Sequence, residues 1–323
     1  MTVRPKAVRA AAIQMEAEIG NLDANLSMCQ RLAAEAATAG ADWIVLPEFF
    51  SSGAANRPEL RDNAPGPDGE PTALLRSLAR RHGAHVGGST LVRDADGHVR
   101  NAFLLAGPDG DILGRHDKDL PTMWENALYI GGGDTGRIVA SGLTVGVAMC
   151  WELLRTQTLH RLGGQVDVVL AGSGWWSVPA WPPHRLWNWQ EARNHRLAIT
   201  APRVFGKAVG APLIHAAHAG RFNCPWPLAG TVYHGRYQGG AMVCDADGNL
   251  LAFRDRDDGP GFAIADLPLV RRQPAEAPQR FWLQRRSVLG AACWAYQNVV
   301  GRHQYRRAFE RRQLLRATEA VAQ

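Results

Sequence analysis

Short, predominantly apolar runs alternate with helical patterns along the first half of this chain. The runs lie at residues 8–15, 43–46, 143–149 and 166–171, and helical patterns at 22–39, 71–82 and 156–162 lie between or after them. Runs of this length and composition are typical of strands whose sheet is covered by helices. Turns at 94–97 and 108–110 insert a hairpin into the alternation. The pattern therefore predicts an α/β fold with a mixed sheet.

The later part of the chain gives weaker signals. Residues 186–194 are predicted as a helix and 197–204 as a strand, and a turn at 245–248 joins two short strands. After residue 269 the composition shifts to arginine, glutamine and aromatic side chains. We therefore expect a main domain over 1–270 and a C-terminal arm over 271–323.

The net charge of +6 comes largely from this arm. Residues 280–316 contain nine arginines and one acid, Glu310, and the rest of the chain is close to balanced. A basic face for nucleic acid is therefore not expected. The longest apolar stretch, 288–300, is too short to cross a bilayer, and no signal-peptide pattern opens the chain.

The five cysteines are odd in number, widely spaced and lack a CxxC pair. This pattern predicts neither a disulfide framework nor a zinc ribbon, and it favours a reducing, cytoplasmic location. Only three of the 36 basic residues are lysines. Because arginine serves as the general positive charge here, a lysine such as Lys118 suggests chemistry that a guanidinium cannot perform.

Polar residues follow three of the apolar strands directly. Glu48 and Cys150 each end one, a Gly-Ser-Gly-Trp segment at 172–175 ends another, and Lys118 follows the hairpin. In α/β sheets, sites form at the carboxyl ends of strands. We therefore expect a site where these residues meet.

Four segments occur in the order and spacing of a known family. They are Leu-Pro-Glu at 46–48, Lys-Asp-Leu-Pro-Thr at 118–122, Cys-Trp-Glu at 150–152 and a late hairpin at 239–248. Together they resemble the nitrilase superfamily of carbon–nitrogen hydrolases. The resemblance covers roughly residues 8–267 and implies a four-layer α-β-β-α sandwich.

The resemblance also implies roles for particular residues. Cys150 would attack the substrate, Glu48 would transfer protons, and Lys118 would stabilise the oxyanion together with the main-chain N–H of Trp151. Glu125 matches a fourth family position and would orient Lys118 or the substrate. Glu152 is expected to be a structural neighbour of the nucleophile.

The substrate class stays open between amide and nitrile. Leu153 departs from the asparagine that nitrilases usually carry, and Glu152 departs from the aspartate more frequent in amidases. We expect a small-molecule amidase that releases ammonia and a carboxylate through a thioester. The alternatives are a nitrilase acting through a thioimidate and an inactive binding member of the superfamily. A third, acyl transfer to an amine, is disfavoured because those relatives carry transmembrane helices.

Further residues are candidates for binding. Trp124, Trp151 and Trp175 are expected to contact the substrate, and a tryptophan-rich segment at 175–189 could line a pocket or a subunit interface. His215 and His218 have a spacing that could suggest a metal site, but no third ligand lies at ligand spacing and the surrounding residues are predicted to form a loop, so a metal site is not favoured. No metal and no cofactor are expected.

The composition of the C-terminal arm predicts that the protein forms oligomers. Its large apolar side chains exceed what a free monomer would expose, and superfamily members commonly exchange C-terminal segments. We expect a homo-oligomer, a dimer or larger, with the arm at the interface. An amphipathic helix on an anionic membrane is the competing interpretation, although a membrane partner is not favoured.

Overall fold

The computed structural model describes residues 7–179, 184–226, 231–274, 282–283 and 288–322. Fourteen strands lie within these ranges: β1 Ala7–Met15, β2 Trp43–Val45, β3 His85–Arg93, β4 Val99–Ala106, β5 Ile112–Asp117, β6 Arg137–Ala140, β7 Leu143–Met149, β8 Val168–Ser173, β9 Leu213–His218, β10 Arg221–Pro225, β11 Val232–Arg236, β12 Gly239–Cys244, β13 Leu250–Asp255 and β14 Gly261–Pro268. The α-helices in the same ranges are α1 Leu22–Thr38, α2 Pro58–Asp62, α3 Glu70–His82, α4 Thr156–Leu162, α5 His184–Val209 and α6 Val288–Ala322.

Twelve of the strands form one mixed sheet with the order β5-β4-β3-β2-β1-β9-β8-β7-β6. The strand β14 pairs antiparallel with β1, and β12 pairs with β9 and β13. The sheet folds over at the β1–β9 junction, where only Gln14 and Met15 pair with Ala217 and His218. Its two halves therefore face each other.

Apolar side chains from both halves meet in the middle. Val45 and Phe103 from one half belong to the same buried cluster as Val147 and Leu170 from the other. A second cluster joins α1 and α3 to the outer face of the first half, and a third joins α4 and α5 to the outer face of the second. The four layers run helix, strand, strand, helix, which confirms the predicted α-β-β-α sandwich.

The predicted strand at 197–204 is wrong, because these residues belong to α5. The buried positions Ala198, Ala201, Phe205 and Ala208 recur every three to four residues, which is the period of a helix rather than of a strand. The loop assigned around His215 and His218 is also wrong, since both residues lie in the buried strand β9.

The C-terminal arm forms the long helix α6, which packs against a short 3-10 helix, Met123–Ala127. At Gly301 a side chain would lie 2.9 Å from Cβ of Asn126, so the absence of a side chain lets the two backbones approach closely. Asn126 also donates to Asn298 over 2.9 Å, and Arg302 donates to Asn126. The arm thus contacts its own domain; arm residues 275–281 and 284–287 lie outside the described ranges.

No helix in the described parts of the chain has the length and hydropathy needed to cross a membrane.

Candidate active site

Three strand ends bring Glu48, Lys118 and Cys150 to one edge of the sandwich. Glu48 lies three residues after β2, Lys118 directly follows β5, and Cys150 directly follows β7. All three side chains are buried, with Cys150 only 1% exposed. The three residues therefore meet at the carboxyl ends of their strands, as the sequence predicted, and they lie in a site shielded from bulk water.

Lys118 forms ion pairs with two carboxylates. Its Nζ donates to Oε1 of Glu48 over 2.8 Å and to Oε2 of Glu125 over 2.7 Å. Burial alone would lower the pKa of Lys118, but Glu125 and Glu48 raise it well above its usual value. The ammonium therefore stays charged, and it holds the two carboxylates on either side of one fixed cation.

Glu48 has further partners that the sequence analysis missed. Asn101 donates to its Oε1, the N–H of Gly174 donates to its Oε2, each over 2.9 Å, and Nε2 of His218 donates to its carbonyl oxygen over 2.6 Å. Burial lowers the pKa of His218 to about 4, so its ring is neutral at pH 7. Asn101 and His218 lie in β4 and β9, and no local motif marks them in the sequence.

Glu125 occupies the third position of the 3-10 helix. Its Oε2 accepts from the N–H of Thr122 over 2.8 Å and from the hydroxyl of Tyr129 over 2.5 Å, besides Lys118. Its Oε1 is buried and accepts no hydrogen bond from the described residues. Burial raises the pKa of Glu125 to about 6 against the opposing effect of Lys118.

Cys150 adopts a left-handed backbone conformation with φ +48°. A residue with a Cβ rarely adopts this conformation, and its occurrence at a strand end is typical of a functional turn. Burial, and next the Glu48 carboxylate, raise the pKa of the Cys150 thiol, whereas Lys118 opposes them. The resting thiol is therefore protonated and needs a base to become a nucleophile.

Glu152 holds this turn against the lysine segment. Its carboxylate accepts from the N–H of Met149 over 2.7 Å and from the N–H of Asp119 over 3.0 Å. It also accepts from the buried His116, which donates from its other ring nitrogen to Asp134 over 2.6 Å. The Glu152 carboxylate therefore links the residue before Cys150 to the residue after Lys118.

Two of the three tryptophans predicted to contact the substrate line one cavity, and the third does not. Trp151 and Trp175 line a cavity next to the site, together with Trp176 and Trp187. Trp124 does not line that cavity but packs on Trp176 with ring centroids 4.2 Å apart. In the rest of the tryptophan-rich segment, the side chain of Trp189 is 54% exposed, and Trp181 lies outside the described residues.

His215 and His218, which have the spacing of a metal-binding pair, each form hydrogen bonds within the protein. His215 contacts the hydroxyl of Ser173 over 2.8 Å and the carbonyl of Gly240 over 2.9 Å. Among the residues that the structure describes, no group of three or more histidine, cysteine, aspartate or glutamate side chains could hold a metal ion.

The carbon-nitrogen hydrolase family matches residues 9–277 of this chain. A nitrilase from Pyrococcus abyssi is 29% identical over 202 residues, which are 61% of this chain and 75% of that protein. An omega-amidase from Danio rerio is 30% identical over 187 residues, 54% of this chain and 66% of the relative. The match to an omega-amidase from Xenopus laevis, at 27% identity, spans 50% of this chain and 61% of that relative's length.

Solved structures share the fold at lower identity. A carbon-nitrogen hydrolase from Helicobacter pylori superposes with a TM-score of 0.68 at 20% identity, over 82% of this chain and 90% of that one. A nitrilase-superfamily amidase from Nesterenkonia, solved with acrylamide, gives 0.65 at 18% identity, over 83% and 93%. At this identity the likeness concerns the fold.

Proposed function

Because the chain belongs to the carbon-nitrogen hydrolase family, we propose that it is an amidase acting on small-molecule amides, with Cys150 as nucleophile. The observation that carries the proposal is the pair of carboxylates held by one buried lysine beside Cys150. Such a group can move a proton to and from a thiol and stabilise an oxyanion without a metal ligand set. No cofactor enters this reaction.

The first half-reaction forms a thioester. Glu48 takes the proton of the Cys150 thiol, and the thiolate attacks the amide carbon, so that the C–S bond forms and the carbonyl becomes an oxyanion. Lys118 and the main-chain N–H of Trp151 stabilise that charge. The oxyanion collapses, the C–N bond breaks, and Glu48 passes its proton to the nitrogen, which leaves as ammonia.

Water completes the second half-reaction. Glu48 removes a proton from water, and the hydroxide adds to the thioester carbon. The tetrahedral intermediate collapses with cleavage of the C–S bond, and the proton on Glu48 returns to the Cys150 sulfur. A carboxylic acid is released and the site regains its starting charge.

Glu125 favours an amide over a nitrile. Its buried Oε1 is an acceptor without a donor among the described residues, and leaving such an atom unpaired is unfavourable. The NH₂ group of an amide supplies a donor, whereas a nitrile nitrogen does not. The nitrilase alternative remains the second candidate because of the similarity to the Pyrococcus nitrilase.

The test compares an amide and a nitrile that carry the same benzyl group. Phenylacetamide and phenylacetonitrile are incubated with the enzyme, ammonia release is measured, and acid-quenched protein is weighed by intact mass spectrometry. A thioester on Cys150 and a kcat/KM at least tenfold higher for the amide support the proposal. A thioimidate with faster nitrile turnover favours the nitrilase, and no adduct or turnover across a panel of both classes favours a binding protein.

We also propose a homo-oligomer. One side of α6 exposes Val288, Val299 and Leu314, of which Val288 is 89% exposed. A stripe of aliphatic side chains on one long helix supports an interface with a second copy.

A further inference from the structure

A cavity of 110 Å³ is lined by the residue that follows Cys150 and by the residues that follow Gly174. Tryptophan forms much of its wall, and α6 closes one side with Gly290, Cys293 and Gln297. The tryptophans are Trp151, Trp175, Trp176, Trp187 and Trp226.

The cavity adjoins the site through neighbours in sequence. Trp151 directly follows Cys150, and Trp175 directly follows Gly174, whose N–H holds the Glu48 carboxylate. Met123, another lining residue, precedes Glu125 by two positions. Cys150 and Trp175 also belong to one buried cluster, and Trp151 packs against that cluster. The acyl group of a substrate bound at Cys150 therefore meets these rings.

Size and charge restrict that acyl group. An apolar cavity of about 150 Å³ holds one benzene molecule, so a cavity of 110 Å³ has room for at most one ring. Among the described residues that line it, none carries a charge. A free carboxylate or ammonium on the acyl group would lose its hydration there without gaining an opposite charge from the described lining residues.

One of the polar lining residues has a buried oxygen without a hydrogen-bond donor among the described residues. Gln297 is 3% exposed, and its Oε1 accepts no hydrogen bond within the described part of the chain. A primary amide offers one acceptor and one donor group. Since an unpaired buried polar atom is costly, Gln297 supplies a place for a polar substituent of the ligand.

We propose that this cavity is the acyl pocket and that the preferred substrate is the amide of a carboxylic acid with a single aromatic ring. The ring bears one uncharged hydrogen-bonding substituent, which hydrogen-bonds to Gln297. The inference rests on the proposed amidase function. It assigns α6 of the arm, and Gln297 in particular, a part in substrate selection.

Three amides test the pocket: propanamide, phenylacetamide and 4-hydroxyphenylacetamide. Burial of a ring should raise kcat/KM by about thirtyfold or more over propanamide, and the hydroxyl should add about tenfold. Equal kcat/KM for propanamide and phenylacetamide would overturn the acyl pocket. Turnover of none of the amides in a wider panel would instead contradict the proposed function.

Two variants test the residues. Gln297→Leu should lower the ratio of kcat/KM between 4-hydroxyphenylacetamide and phenylacetamide by about tenfold, and Gln304→Leu, the same change on the exposed face of α6, should leave that ratio unchanged. Cys293→Phe, which fills the cavity, should reduce the preference for phenylacetamide over propanamide. Wild-type ratios in both Gln297→Leu and Cys293→Phe would reject the assignment.

Discussion

His116 donates from Nε2 to Oε2 of Glu152 over 3.1 Å, and both side chains are buried. Burial alone would lower the pKa of His116, but Glu152 and Asp134 raise it from 6.5 to about 10. Burial alone would raise the pKa of Glu152, but His116 lowers it. The pair is therefore charged at neutral pH.

This pair predicts a stability that falls with alkaline pH. Because the folded pKa of His116 is raised, its contribution is complete below pH 6.5 and is lost as pH rises through about 10. The loss should amount to a few kcal/mol. His116→Gln should lower stability at pH 7 by about 3 kcal/mol, because Glu152 loses the nearer of the two cations that the described residues give it and keeps only Arg161 at 3.6 Å, and should flatten the dependence of stability on pH between 7 and 10.

Urea unfolding at a series of pH values measures both effects. The control is His160→Gln, since His160 is an exposed histidine on α4, and it should follow the wild-type profile. A wild-type slope in His116→Gln would mean that the pair does not control the alkaline transition.

Substitutions of Cys150 should remove activity without lowering the stability of the protein. Cys150→Ala should abolish turnover and keep the melting temperature near the wild-type value, and Cys150→Ser should retain little activity. Cys150→Gly should also be inactive, yet at least as stable as the alanine variant, because glycine adopts φ +48° without the steric cost. Calorimetry and ammonia release measure the two properties. More than a few per cent activity in the alanine variant would remove the mechanism.

Lys118→Arg should be severely impaired although it preserves the charge. The side chain is fully buried between Glu48 and Glu125, and a planar guanidinium does not fit the same point. We expect kcat to fall by about two orders of magnitude. Lys207→Arg, on the exposed side of α5, is the control. Steady-state kinetics close to wild type in Lys118→Arg would make this lysine dispensable.

The raised pKa of Glu125 predicts that activity falls at acidic pH. Its pKa is raised to about 6, so below this pH its carboxyl becomes protonated and its bond to Lys118 weakens. The pH profile of kcat/KM should therefore fall on the acid side with a midpoint near 6. Glu125→Gln should be slower and should lose that limb. An unchanged midpoint in this variant would assign the acid limb to another group.

The outer face of α6 predicts the assembly state. Val299→Glu together with Leu314→Glu introduces charge at positions 71% and 69% exposed, without touching the contacts around Gly301. The variant should show a lower mass than wild type by light scattering, whereas Gln304→Glu should not. If mass is unchanged but binding to anionic liposomes is lost, the face is a membrane contact and not an interface.

The strands that precede Glu48 and Cys150, and the three strand-end residues, could be predicted because they depend on local signals: apolar runs, turns and the abrupt polar residue after each run. The buried strand β9 could not, and its histidines were predicted to lie in a loop. The first part of α5 was predicted as a helix at 186–194, but residues 197–204 were not, since their apolar run also fits a strand and only the period of Ala198, Ala201 and Phe205 distinguishes the two. Asn101 and His218 were missed for a different reason. Each contacts Glu48 across the sheet, and such contacts depend on strand order, which local patterns do not contain.

The arm shows the same limit. Its composition predicted a contact surface, but the partner seen within the chain is the turn carrying Glu125, reached through Gly301 and Asn298. A glycine in a helix gives no indication of where a close crossing will occur. The prediction of an oligomer interface on its other face stays a prediction.

Five of the eleven tryptophans line one small cavity. Indole emission depends on the polarity and contacts around the ring, so a molecule entering the cavity should shift or quench a large part of the protein's intrinsic fluorescence. The enzyme would thus carry its own optical reporter of occupancy. Ligands could be titrated against the inactive Cys150→Ala protein, where binding is seen without turnover, and compounds that never react could be ranked by the same signal.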